Sequence, residues 1–182
     1  LGLDVDRVVS DNILGARLAI EHLISLGHRT IGYITSDRQV STVEDRLTGY
    51  RQALEAADLP VEAELMVRVD ASIEAATVAT RRMFELRPDV TALFVYNDFM
   101  AVGVLSTLLE MGLRVPNDIA IVGFDDIVYA PYLRVPLTTV SQQTDAIGQT
   151  AAQLLISRME DPSRAPQRIV LEPHLVVRAL AL

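Results

Sequence analysis

Four times in succession, a short apolar run gives way to a stretch with helical spacing, and this alternation limits the fold more than any other feature. "RVVS" (7–10) leads into 12–26, and "TIGYIT" (30–35) into a helix over 43–57. "LMVRV" (65–69) leads into a helix that runs to about Leu86, and "TALFVY" (91–96) into 99–111, before "IAIVGF" (119–124) closes the series. These runs do not alternate apolar with polar residues, so both faces of each strand are buried. Such strands form a parallel sheet covered by helices on both faces, which makes this an α/β, three-layer fold. Gly27 and Gly112 stop the first and fourth helices, Ser72 caps the third, and Pro60 and Pro88 stand beyond two helix ends. A tail of different pattern follows: "LTTVS", a helix at about 144–160, then "RIVLE" and "HLVVR" joined through Pro173.

Charge narrows the partners. Sixteen Lys and Arg against 24 Asp and Glu give a net charge of −8, which argues against direct nucleic-acid binding by this chain. There is no Cys, so disulfides and thiolate metal sites are excluded and a reducing, cytoplasmic setting fits. "LGLDVDRVV" shows no signal-peptide pattern, and no apolar run is long enough for a membrane helix.

In open parallel sheets, ligands bind beyond the carboxyl ends of the strands. Those ends read "TSDRQVSTVEDR" (35–46), "DAS" (70–72), "YND" (96–98), "FDD" (124–126) and "SQQ" (141–143). Amides, carboxylates and an arginine beside aromatic rings suit a polyhydroxylated ligand. Each residue also has a plainer role. Asp98 reads as the N-cap of the next helix, while Asn97 is balanced between cap and ligand contact. Asp126 reads as a turn residue. Asp125 is favoured as a site residue by position alone. Arg46, early in a helix, is by default a solvated side chain. His22 and His28 flank a helix C-terminus, where a charged imidazole is favourable, and His174 reads as structural.

Enzyme signatures are absent from the sequence: it contains no dinucleotide or phosphate-binding glycine loop, no H-E-x-x-H and no G-x-S-x-G. The Asp125–Asp126 pair is not expected to bind a metal, because adjacent residues leaving a strand point to opposite sides. No catalytic residue and no cofactor is expected.

Several segments together resemble the effector-binding domain of LacI/GalR transcription regulators, a periplasmic-binding-protein-like fold of type I. They are "SDNILGARLAIEHLISLGHRTIGYI" (10–34), "DRLTGYRQAL" (45–54), "DVTALFVYNDFMAVGVLSTLLEMGLRVPNDIAIVGFDD" (89–126), "PLTTVSQQTDAIGQTAAQLL" (136–155) and "LEPHLVVR" (171–178). The resemblance implies two lobes that close on a small effector, a sugar or related metabolite. It places Thr42, Arg46, Asn97, Phe124, Asp125 and Gln142 on the ligand. At Ala71 or Ser72, where many members of the family carry a stacking aromatic, this chain has none. The resemblance further implies that 12–141 and 173–182 form the C-terminal lobe, and that 1–11 and 142–172 are a remnant of the N-terminal lobe. It implies a cytoplasmic homodimer that contacts operator DNA only through a helix-turn-helix headpiece, which these residues do not include. The alternatives are a solute receptor for a sugar transporter and a sensor whose partner is another protein.

Overall fold

The computed structural model describes residues 5–178. The opening "LGLD" and the closing "ALAL" lie outside the described residues, as do the ends of the two expected lobe segments that reach them. The elements run β1 (Arg7–Ser10), α1 (Asn12–Ser25), β2 (Ile31–Ser36), α2 (Ser41–Ala56), β3 (Met66–Val69), α3 (Ile73–Leu86) and β4 (Ala92–Val95). They continue with α4 (Asp98–Glu110), β5 (Ala120–Asp125), β6 (Thr138–Ser141), α5 (Thr144–Glu160), β7 (Arg168–Leu171) and β8 (His174–Val176).

Six strands form one sheet in the order β3-β2-β4-β5-β6-β8. The pairings from β3 to β6 are parallel, as the apolar runs predict. The last pairing differs, because β8 returns antiparallel to β6. Its register pairs Ser141 with His174, so both meet at the edge of the sheet. β1 and β7 form a separate two-stranded parallel sheet against which α5 lies.

The doubly buried strands serve two cores. Along β4, Ala92 and Phe94 enter a cluster with α1 and α2, while Leu93 and Val95 enter a second cluster with α3 and α4. β5 divides likewise: Ala120, Val122 and Phe124 face α1 and α2, and Ile121 faces the other side. Tyr33 stacks between Phe94 and Tyr50, with centroids 4.8 and 5.2 Å away. The hydroxyl of Tyr50 donates to the Ile31 carbonyl at 2.8 Å. α1 and α2 approach so closely that a Cβ on Gly49 would lie 2.3 Å from the Ile13 carbonyl oxygen, so the crossing admits only glycine there.

Helix ends account for several residues singled out in the sequence. Ser72 accepts from the Ala75 amide at the start of α3, as expected. At α4 the cap lies one residue before the position expected for Asp98. Asn97 is the cap, accepting from the Met100 amide at 2.8 Å, and Asp98 is fully buried. Burial pushes His22 and His28 down, toward neutral imidazoles, and Nδ1 of His28 lies 3.0 Å from the Thr91 hydroxyl. The expected charged partners of the helix terminus are therefore disfavoured by desolvation.

Candidate functional site

The strand order reverses between β2 and β4, and at such a point the helices that follow diverge to opposite faces and open a crevice. α2, which follows β2, brings Arg46 to this place, and β4 ends beside it at Tyr96. Although it lies on a helix, Arg46 is only 3% exposed. Its Nε donates to Oδ1 of Asn12 at 2.9 Å, and Nη1 donates to the Tyr96 carbonyl. Nη2 reaches Oδ1 of Asp125 at 3.5 Å. Two rings lie against the guanidinium, whose Cζ is 3.6 Å from the Phe124 centroid and 4.7 Å from that of Tyr96. Burial pushes the Arg46 pKa down, and the nearby Asp125 carboxylate opposes that shift. A planar cation with several fixed donors fits this enclosure; an ammonium would not.

Asp125 ends β5. The Gln142 amide donates to its Oδ1 at 2.6 Å, so that oxygen serves both Gln142 and Arg46. Its side chain stays 31% exposed, against 4% for that of Arg46, so the carboxylate is the outward part of the pair. Burial raises its pKa, and Arg46 and Gln142 pull it down again. The backbone is in the left-handed region at both Asp125, with φ of 118°, and Asp126, with φ of 56°. Two consecutive non-glycine residues there store strain of about 1–3 kcal/mol each. This turn separates the acids. Asp126 pairs with Arg178 at 2.6 Å, and Arg178 also donates to the Leu137 carbonyl at 2.9 Å. Each acid thus has its own cation.

The six expected ligand contacts are placed unevenly. Thr42 lies near the crevice, with its hydroxyl 3.0 Å from that of Tyr96. Arg46, Asp125 and Gln142 form one hydrogen-bonded group. Asn97 stands beside Tyr96, but its side-chain oxygen is engaged as the cap of α4. Phe124 is 0% exposed, so its ring meets the guanidinium of Arg46 and not the open surface; the pleat that turns Asp125 outward turns Phe124 into the α1/α2 core. Asn12 and Tyr96 belong to the group and were not singled out. Tyr96 follows β4 directly and Asn12 opens α1 one residue beyond the end of β1, so the strand-end rule reaches them when it is applied to β1 and when a backbone carbonyl is counted as a polar contact. An open groove of about 490 Å³ extends from Asp125 and Asp126 past Ser141 to Thr144 and Gln149 at the start of α5.

Asp98 lies behind this surface. Its Oδ1 accepts from the Thr139 hydroxyl at 2.6 Å and its Oδ2 from the Ile127 amide at 3.0 Å. Burial pushes its pKa up to about 6 against those two hydrogen bonds, with Asp125 and Asp126 adding to the rise. No group of three or more His, Asp or Glu side chains with metal-binding geometry occurs among the described residues.

Residues 20–179 match the model of the periplasmic binding protein-like domain. The chain is 38% identical over 174 residues to the HTH-type transcriptional regulator CelR of Thermobifida fusca, covering 96% of this chain and 51% of that protein. It is also 38% identical over 180 residues to the ribose operon repressor of Escherichia coli, covering 98% and 54%. Among solved structures, CelR in complex with cellobiose superposes with a TM-score of 0.91 at 38% identity, over 98% of this chain and 55% of that one. A LacI-family regulator from Enterococcus faecium with bound ribose gives 0.89 at 30% identity, over 95% and 64%. The chain spans about half the length of the curated relatives it matches. It belongs to the periplasmic binding protein-like domain family, in the form carried by LacI-family transcriptional regulators.

Proposed function

We propose that the chain forms one wall of an effector-binding cleft in a LacI-type transcriptional regulator, and that the effector is a sugar. The observation that carries this reading is the Arg46–Asp125–Gln142 group at the strand ends: a clamped cation presenting a half-exposed carboxylate. A carboxylate accepts hydrogen bonds from ligand hydroxyls, and the hydroxyls of Thr42 and Tyr96 beside it can both donate and accept. CelR with cellobiose and the Enterococcus regulator with ribose support a sugar as the ligand class. We assign 12–141 and 173–182 to one lobe, and 1–11 and 142–172 to the other. The opposing wall and a DNA-binding headpiece come from chain beyond these residues, and the regulator acts as a cytoplasmic homodimer without enzymatic activity. Ligand binding shifts the population of open and closed lobes, and that shift controls operator affinity. No helix among the described residues is long and apolar enough to cross a membrane.

A thermal-shift screen of pentoses, hexoses and disaccharides on the protein with both walls present tests this reading. At least one sugar is expected to raise the melting temperature. Asp125→Asn keeps the shape of the side chain but removes its charge. It is expected to weaken binding of that sugar about 10- to 100-fold, the value of a charge-assisted hydrogen bond. Equal affinity in the variant would remove Asp125 from the site.

A further inference from the structure

Asp98 is the one acidic side chain among the described residues that is fully buried, and it belongs to neither ion pair at the strand ends. Its oxygens bridge the start of α4 to β6, through Thr139, and to the segment after β5, through the Ile127 amide. Ile127 immediately follows the left-handed pair Asp125 and Asp126. The carboxyl group also fills the space over Gly123, where a Cβ would lie 2.1 Å from Oδ1. Without an anchor, nothing local favours φ of 118° at an aspartate.

We propose that Asp98 is the positioning residue of the ligand-binding carboxylate: by holding Ile127 and Thr139 it fixes the left-handed turn that points Asp125 at Arg46, Gln142 and the cleft. The proposal rests on the reading of Asp125 as a ligand contact. Four charged groups surround this arrangement. Asp125 and Asp126 lie near Asp98 at the end of β5, and each is held by its own cation, Arg46 on α2 and Arg178 after β8. Two like charges beside a buried carboxyl group favour its protonated form, so the anchor changes charge in mildly acidic solution. A protonated Asp98 still accepts from Ile127 and donates to Thr139. An asparagine can do the same by turning its oxygen to Ile127 and its amide to Thr139.

The test is the three-bond coupling between the amide and α protons of Asp125, which reports φ, measured on the protein without ligand. Asp98→Asn is expected to keep the left-handed value and to abolish the titration of the Ile127 amide near pH 6. Asp98→Ala is expected to shift the coupling to the extended value and to lose at least tenfold of the exchange protection at Ile127. If Asp98→Ala does not fold, Thr139→Val decides: it removes one of the two donors and is expected to raise the Asp98 midpoint. An Asp125 coupling unchanged in Asp98→Ala, or an Asp98 midpoint unmoved in Thr139→Val, overturns the proposal. Binding of the pentoses, hexoses and disaccharides of the thermal-shift screen forms a separate arm. Failure of all of them to bind the wild type contradicts the sugar reading and leaves the positioning result to stand on the coupling.

Discussion

Arg46→Ala is expected to lower the unfolding free energy by about 3 kcal/mol, read from the midpoint of a urea transition. The substitution removes hydrogen bonds to Asn12, Tyr96 and Asp125 together and takes away the cation packed on the Phe124 and Tyr96 rings. It also leaves Asp125 with Gln142 as its remaining side-chain partner in this group, and the cost is moderated because Asp125 is partly solvated. Arg46→Lys is expected to recover less than half of the loss. A single ammonium cannot fork to three acceptors or stack flat on a ring. An unchanged midpoint in Arg46→Ala would show that the guanidinium is solvated and that the group at the strand ends is not preformed.

Gly123→Ala is expected to be comparably damaging, at about 3 kcal/mol, by overpacking and by loss of buried hydrogen bonds. The new methyl would lie 2.1 Å from Oδ1 of Asp98 and 3.1 Å from Cδ2 of Leu137. Asp98 must then leave its place, and the Thr139 hydroxyl and Ile127 amide lose their acceptor. Coupling between the two positions gives a sharper reading than the loss alone. In the Asp98→Ala background the extra methyl finds space, so the added cost of Gly123→Ala is expected to fall well below its cost in the wild type, measured by thermal unfolding of all four proteins. Strict additivity would mean that the methyl clashes with something other than Asp98.

The layered fold was legible because β2, β4 and β5 each answer to two cores at once, which only a covered parallel sheet requires. "IAIVGF" was expected over 119–124, and the strand occupies Ala120–Asp125. The antiparallel return of β8 was not legible, since the direction of an edge strand depends on where the chain re-enters the sheet and not on its own side chains. The cap of α4 fell on Asn97 and not on Asp98 because a cap displaced by one residue looks the same in sequence, yet one position reaches the Met100 amide and the other turns into the core. Arg46 shows the limit most clearly. Read from its helix alone it is a solvated side chain, and only the resemblance placed it on the ligand. Its burial depends on Asn12 and Tyr96, which lie 34 and 50 residues away and reach it only through the folded sheet. Phe124 was assigned with its neighbour Asp125, although the pleat sends the two to opposite sides and buries the Phe124 ring against Arg46.

The most direct test of the central claim is the pattern of amide shift changes when pentoses, hexoses and disaccharides, cellobiose and ribose among them, are titrated into the protein with both walls of the cleft present. The account predicts saturable changes with at least one sugar, centred in this chain on Thr42, Tyr96, Asp125 and Gln142. No saturable change with any of these sugars, or changes centred on the separate groove lined by Val102, Leu109 and Arg134, would contradict it.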